Sequence, residues 1–220
     1  MKKLQTGFTL IELAIVLVII GLLLGGVLKG QELINSAKVK NLANDFRSVP
    51  IYIYGYQDKF KSIPGDDANV VAHLGATATV GTGGTLGNGV IQGAWDAIGN
   101  EESAVFWQHV RLAGLAPGGT TVGTTNGYFP TNAEGGRVGI ASLANAGIPT
   151  SPTAMNGSYV VCSRGILGKF AKQLDTTLDD GETSTGSLRA YTAAATTYVT
   201  SNVSSPTIVD SNSYDVCLSL

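Results

Sequence analysis

Charge is scarce in this chain. Only 14% of its 220 residues are Asp, Glu, Lys or Arg, and the net charge is -2. That leaves no basic surface to attract a phosphate backbone, so nucleic acid is not an expected specific partner. Histidine occurs twice. His73 has no companion in the sequence, and His109 stands beside the apolar face of an expected helix, so neither indicates a metal or a catalytic base. A zinc-binding His-Glu-x-x-His, a Gly-x-Ser-x-Gly elbow and a dinucleotide fingerprint are all missing. Gly81-Thr82-Gly83-Gly84 lacks the lysine and the preceding strand of a phosphate loop. Asp66, Asp67, Asp179 and Asp180 lie in turn contexts that account for them without an acid pair for glycoside chemistry. No enzyme activity and no organic cofactor are expected.

What the chain has is one long apolar run, from Phe8 to Leu28, opened by Gly7-Phe8-Thr9-Leu10-Ile11-Glu12-Leu13. About twenty such residues at roughly 1.5 Å each span a bilayer core. Lys2 and Lys3 precede the run and hold the N-terminal flank on the cytoplasmic side. No Ala-x-Ala site follows it, as it would in a secretory signal. Glu12 is the exception inside the run. A carboxylate in hydrocarbon costs about 2.5 to 3.5 kcal/mol even on insertion scales, and no partner for it is expected nearby in the chain.

Gly7-Phe8-Thr9-Leu10-Ile11-Glu12 resembles the processing site of type IV prepilins and of type II secretion pseudopilins. The resemblance implies that a prepilin peptidase cuts between Gly7 and Phe8 and that Phe8 becomes N-methylated. Glu12 would then meet the Phe8 amine of a neighbouring subunit and pin the register of assembly. Also implied are a homo-oligomeric helical filament, an inner-membrane assembly platform, minor pilins, and a location in the bacterial inner membrane followed by an extracellular or periplasmic filament. The implied fold is α+β and pilin-like: a long N-terminal helix, with a membrane half and an amphipathic half, packed on a small antiparallel sheet with long Gly/Thr-rich loops. One departure is the missing proline midway along the first half. Gly21, Gly25 and Gly26 stand there instead and leave local melting open, because glycine costs about 1 kcal/mol in a helix.

The expected organisation is a leader over 1–7, a membrane or filament-core helix over 8–28, an amphipathic half over 29–63 and a head over 64–220. Val39, Leu42, Phe46, Val49, Ile53, Tyr56 and Phe60 recur at helical spacing. Pro50 should kink the helix, and Ile63-Pro64-Gly65-Asp66-Asp67 should stop it. Gly75 to Gly93 reads as a solvated loop. A second helix is expected from Glu101 to Leu115, capped by Asn100, with Phe106, Val110 and Ala113 on its buried face. Strands are expected at Arg137–Leu143, Ser158–Cys162 and Tyr214–Leu218. A further helix is expected over Ile166–Leu178, followed by a helix-loop-strand unit that resembles those of larger pilin-like proteins.

Two features of the head bear on chemistry. Asp175, Asp179, Asp180 and Glu182 lie within eight residues at a helix end, and such a loop could supply oxygens to calcium or be a plain solvated turn. Cys162 and Cys217 each sit in a strand-like segment and can be a disulfide or two buried thiols. Export and the resemblance to cysteine-closed pilin heads favour the bond. The cysteine pair also favours a pilus subunit over a secretion pseudopilin. From another class, a membrane-anchored solute- or polysaccharide-binding protein that never polymerises is the competing reading.

Overall fold

The computed structural model describes residues 9–123, 127–150, 154–193, 198–199 and 207–220. The chain divides into two compact units, Met1–Lys38 and Val39–Leu220. Helix α1, Leu10–Phe60, contributes to both. In the first unit it is unbroken through Gly21, Gly25 and Gly26, and nothing from Leu10 to Lys38 is buried. In the second unit Val39, Leu42, Phe46, Val49, Ile53 and Tyr56 are buried, as their spacing predicts. Pro50 lies within the helix and does not end it. The helix stops at Phe60, ahead of the Pro64-Gly65 break, where Lys61 adopts a left-handed backbone with φ 56°.

The rest of the second unit is built from α2 (Val70–Leu74), α3 (Glu102–Leu112), β1 (Val138–Ser142), β2 (Tyr159–Leu167), α4 (Gly168–Leu178), β3 (Leu188–Tyr191) and β4 (Ser213–Ser219). The four strands form one antiparallel sheet in the order β1-β2-β4-β3. Strand alternation gives the sheet two buried faces. Val138, Ile140, Val161, Ile166, Leu188, Ala190, Tyr214 and Val216 join Leu42, Phe46, Phe106 and Phe170 in the main core. Ala141, Val160, Cys162, Tyr191 and Cys217 turn the other way and pack with Trp95, Met155 and Tyr198. On that second face a Cβ at Gly139 would collide with the carbonyl oxygen of Trp95. The backbone of the 95–97 segment therefore lies directly on β1, and Trp95 is fastened there by its indole N–H donating to the Tyr191 hydroxyl at 2.9 Å.

Several sequence expectations change. Helix α3 is shorter than Glu101–Leu115, with Glu101 rather than Asn100 at its N-cap. The Asn100 carbonyl instead accepts from the backbone and hydroxyl of Thr82. Helix α3 is also not amphipathic, since every residue from Glu102 to Arg111 is buried. Its polar side chains hold loops: Gln108 accepts from the Thr79 N–H and donates to the carbonyls of Thr77 and Thr120. Arg111 donates to the carbonyls of Pro117, Gly119 and Tyr128. Ile166 and Leu167 belong to β2, and α4 begins only at Gly168. The Gly75 to Gly93 segment has exposed stretches but is anchored, with Ala78, Gly81 and Ile91 buried.

Candidate functional site

The first candidate is the start of α1. Thr9 and Glu12 form a reciprocal capping box: the Thr9 N–H and hydroxyl both donate to Glu12 Oε2 at 2.8 Å, and the Glu12 N–H reaches back to the Thr9 hydroxyl at 3.3 Å. The acid therefore has a partner within the chain, contrary to the sequence expectation. The Thr-x-x-Glu spacing carried that signal. Beyond it lies the only helix among the described residues that is long and apolar enough to cross a membrane. Leu10, Ile11, Leu17, Leu22, Leu23 and Leu28 are each more than 60% exposed. No Cβ added at Gly21, Gly25, Gly26 or Gly30 would touch anything within 4 Å. Among the described residues of the first unit, nothing covers this surface. Gly7 and Phe8 lie outside the described residues.

A second group, missed by sequence reading, gathers beside the end of α1. Asp67 is wholly buried; its carboxylate accepts from the Tyr56 hydroxyl at 2.7 Å and the Asn69 N–H at 2.9 Å, and meets His73 Nδ1 at 2.7 Å. Burial opposes its ionisation, yet these partners leave the carboxyl below its usual range. Asp66 accepts from the backbone N–H groups of Gly87 and Gly89 at 2.5 and 2.7 Å. The pair expected as turn acids thus ties a Gly-rich loop to the helix end. His109 is wholly buried, with Nδ1 accepting from Gly65 N–H at 2.9 Å and Nε2 against the Thr79 carbonyl at 2.8 Å. This arrangement suits a neutral ring protonated on Nε2, and burial lowers its pKa. Each group is taken up by hydrogen bonds within the fold, and Asp66, with Gly87 and Gly89, also borders a cavity of about 250 Å³.

The acid turn follows α4. Single carboxylate oxygens of Asp175, Asp179 and Asp180 converge within 4.8 Å of one another. Glu182 is not among the three; its N–H donates to Asp180 Oδ1, and its carboxylate accepts from the Ser184 hydroxyl. Asp175 is fully buried, and while Oδ1 accepts from Gly181 N–H at 2.6 Å, Oδ2 has no hydrogen-bond partner. Burial, with the neighbouring Asp180 and Asp179 charges, pushes the Asp175 carboxyl up to about 7. Asp179 accepts from the Leu188 N–H at 2.8 Å, which joins the turn to β3. Cys162 and Cys217 are directly paired residues of β2 and β4, and they form a disulfide.

A family description, the Prokaryotic N-terminal methylation motif, matches residues 2–28. The chain carries the prepilin signature. That motif supports a type IV pilin- or pseudopilin-like precursor, and α1 with the four-stranded antiparallel sheet is a pilin-like α+β architecture. The signature and the apolar start of α1 fit a precursor in the inner membrane that a prepilin peptidase processes. No curated protein and no solved structure matches the chain.

Proposed function

We propose that this protein is the structural subunit of a type IV pilus-like extracellular filament, assembled from the inner membrane after a cut between Gly7 and Phe8. The observation that carries the reading is the methylation motif running into a helix with no buried residue from Leu10 to Lys38. Such a surface is stable in lipid or against copies of itself, and removing the leader lets it pass from one to the other. In that exchange Glu12 is the register element. Within a lone subunit it is satisfied by Thr9, and in the filament the Phe8 amine of a neighbour would add an opposite charge. N-terminal sequencing of filaments sheared from cells should begin at Phe8, and electron microscopy should find this chain in them. A start at Met1, or no filaments containing the chain, would support the membrane-anchored binding protein instead.

A secretion pseudopilin is the second reading, favoured by the acid turn because many of the major pseudopilins that the N-terminus resembles hold this region with calcium. We also propose that Asp175, Asp179 and Asp180 bind calcium, because a buried carboxylate oxygen without a donor beside two further acids suits a hard divalent cation. Backbone carbonyls and water would complete the shell, and the ion would brace the α4–β3 turn. Millimolar calcium should raise the melting temperature and chelator should lower it; an indifferent melt would identify a plain turn.

A further inference from the structure

A cavity of about 160 Å³ opens in the second unit, lined on one side by Asp45, Ser48, Val49 and Tyr52 of α1 and on the other by Trp107, Pro117 and neighbouring residues. It is smaller than the roughly 300 Å³ at which small-molecule pockets begin. Its scale is that of one long side chain. The Asp45 carboxylate has no ion pair or hydrogen-bond donor among the described residues, although it is half-buried and burial raises its pKa to about 6. An acid bordered by two aromatic rings is the chemistry that recognises a cation, since the carboxylate supplies charge and the ring faces supply cation–π attraction. Guanidinium suits such a site better than ammonium, because it is planar, stacks on rings and pairs bidentately with carboxylate.

The chain carries a matching group on the same helix. Arg47 is exposed and has no acidic partner among the described residues. At about 100° per residue, positions 45 and 47 lie on nearly opposite sides of α1, so Arg47 cannot enter the cavity of its own subunit. A socket on one side of an element and its plug on the other make a heterologous contact, which extends into a ring or an open helical filament instead of closing into a two-fold dimer. We infer that the Asp45 cavity receives Arg47 of an adjacent copy of this chain. The inference rests on the filament reading above and gives it a specific subunit contact.

Charge reversal tests it in full-length protein in cells, with sheared filaments measured against membrane-held subunit. Asp45→Lys and Arg47→Glu should each reduce filament yield roughly tenfold or more, as loss of a desolvated charge pair does. The double variant D45K/R47E restores opposite charges and should recover most of the yield. Arg47 is exposed, so its reversal leaves folding intact, and unchanged filaments from Arg47→Glu would overturn the contact. A double no better than the worse single variant would overturn it too. Cysteines at both positions would lie too far apart for a direct disulfide, because a long arginine side chain fills the gap, but a short bismaleimide should join them into a ladder of multimers within filaments, the native cysteines being tied to each other. Wild-type filaments without such a ladder from the cysteine variant would defeat this contact alone, whereas absence of wild-type filaments would defeat it together with the filament reading.

Discussion

The two parts of α1 are a matched comparison within one helix. From Leu10 to Leu28 the surface is apolar, and nothing is buried as far as Lys38; from Val39 to Tyr56 an apolar stripe is buried and the remaining faces are polar or mixed. Both parts are α-helical, with Pro50 removing one backbone hydrogen bond from the second, so the main difference lies in what covers the side chains. Among the described residues, the first unit holds nothing that would cover its apolar surface, while the second unit has its covering built in. Polar groups follow the same division. In the first unit, the one carboxylate within the apolar run is tied to the turn it begins, whereas the second unit buries Asp66, Asp67, Glu102 and Asp175 under backbone N–H groups and rings.

The comparison can be broken most directly by truncating one residue on each side. Phe46→Ala should cost the second unit about 3 to 5 kcal/mol by opening a cavity. Leu22→Ala should leave its melting temperature unchanged in detergent. A similar loss from both variants would mean that the first part is held by the fold after all.

Reduction of Cys162–Cys217 comes next. The bond spans a sequence separation of 55, for which chain entropy gives about 4 kcal/mol of stabilisation. Limited proteolysis under reducing conditions should cut first in the C-terminal third, with α1 surviving; part of that third, 194–197 and 200–206, lies outside the described residues. Equal cleavage rates with and without reductant would refute the staple.

A smaller effect follows from Glu102. It is wholly buried, Oε2 accepts from the Gln92 N–H at 2.8 Å, Oε1 has no partner, and burial raises its pKa to about 7. Between about 4.5 and 7 the folded protein holds a proton that the unfolded chain has released, so this group's contribution to stability falls as pH rises through that window. His109 acts in the opposite sense: its folded pKa is lowered, and its contribution grows as pH rises through the ordinary histidine range. Comparing wild type with Glu102→Gln cancels the histidine. The wild type should lose about 1 to 3 kcal/mol more than the variant between pH 5 and 8, and parallel pH profiles would contradict the assignment.

Tyr56→Phe should cost about 1.5 to 3 kcal/mol, because the hydrogen bond it removes goes to a buried, ionised carboxylate. Asp67 keeps its contacts with His73 and Asn69. A loss several times larger, read from denaturant midpoints, would mean that the Tyr56 hydroxyl organises the whole cradle.

What could be read from sequence depended on how local the signal was. The Gly7–Glu12 motif and the stripe from Val39 to Tyr56 are contiguous and periodic, and they located the membrane segment and the core face of α1. Helix α3 is legible as a helix in this region, but its sequence implies longer bounds and a solvent face that the fold does not leave it. Gln108 and His109 look polar in sequence, and only loops some thirty residues away make them interior. The β2–α4 boundary was missed because Ile166 and Leu167 fit either period. The register shift between Ser163 and Ile166, with Gly165 at φ 76°, keeps the strand going to Leu167. Asp66 and Asp67 carry the turn signature expected of them, but their burial is set by long-range partners that spacing does not encode. Convergence of Asp175 with Asp179 and Asp180 was legible from proximity; the unpartnered oxygen was not.

Gly139 has a consequence for genetics. The carbonyl of Trp95 occupies the space where any side chain at this position would begin, so even alanine would force β1 away from the 95–97 segment. If the chain assembles into the filaments proposed above, a mutant hunt scored on their loss would recover Gly139 repeatedly and tempt its finder to draw it on a subunit contact. Total subunit abundance would give the lesion away: such alleles should disappear through turnover of the misfolded chain, while true contact alleles such as Arg47→Glu should leave normal amounts of unassembled protein in the membrane.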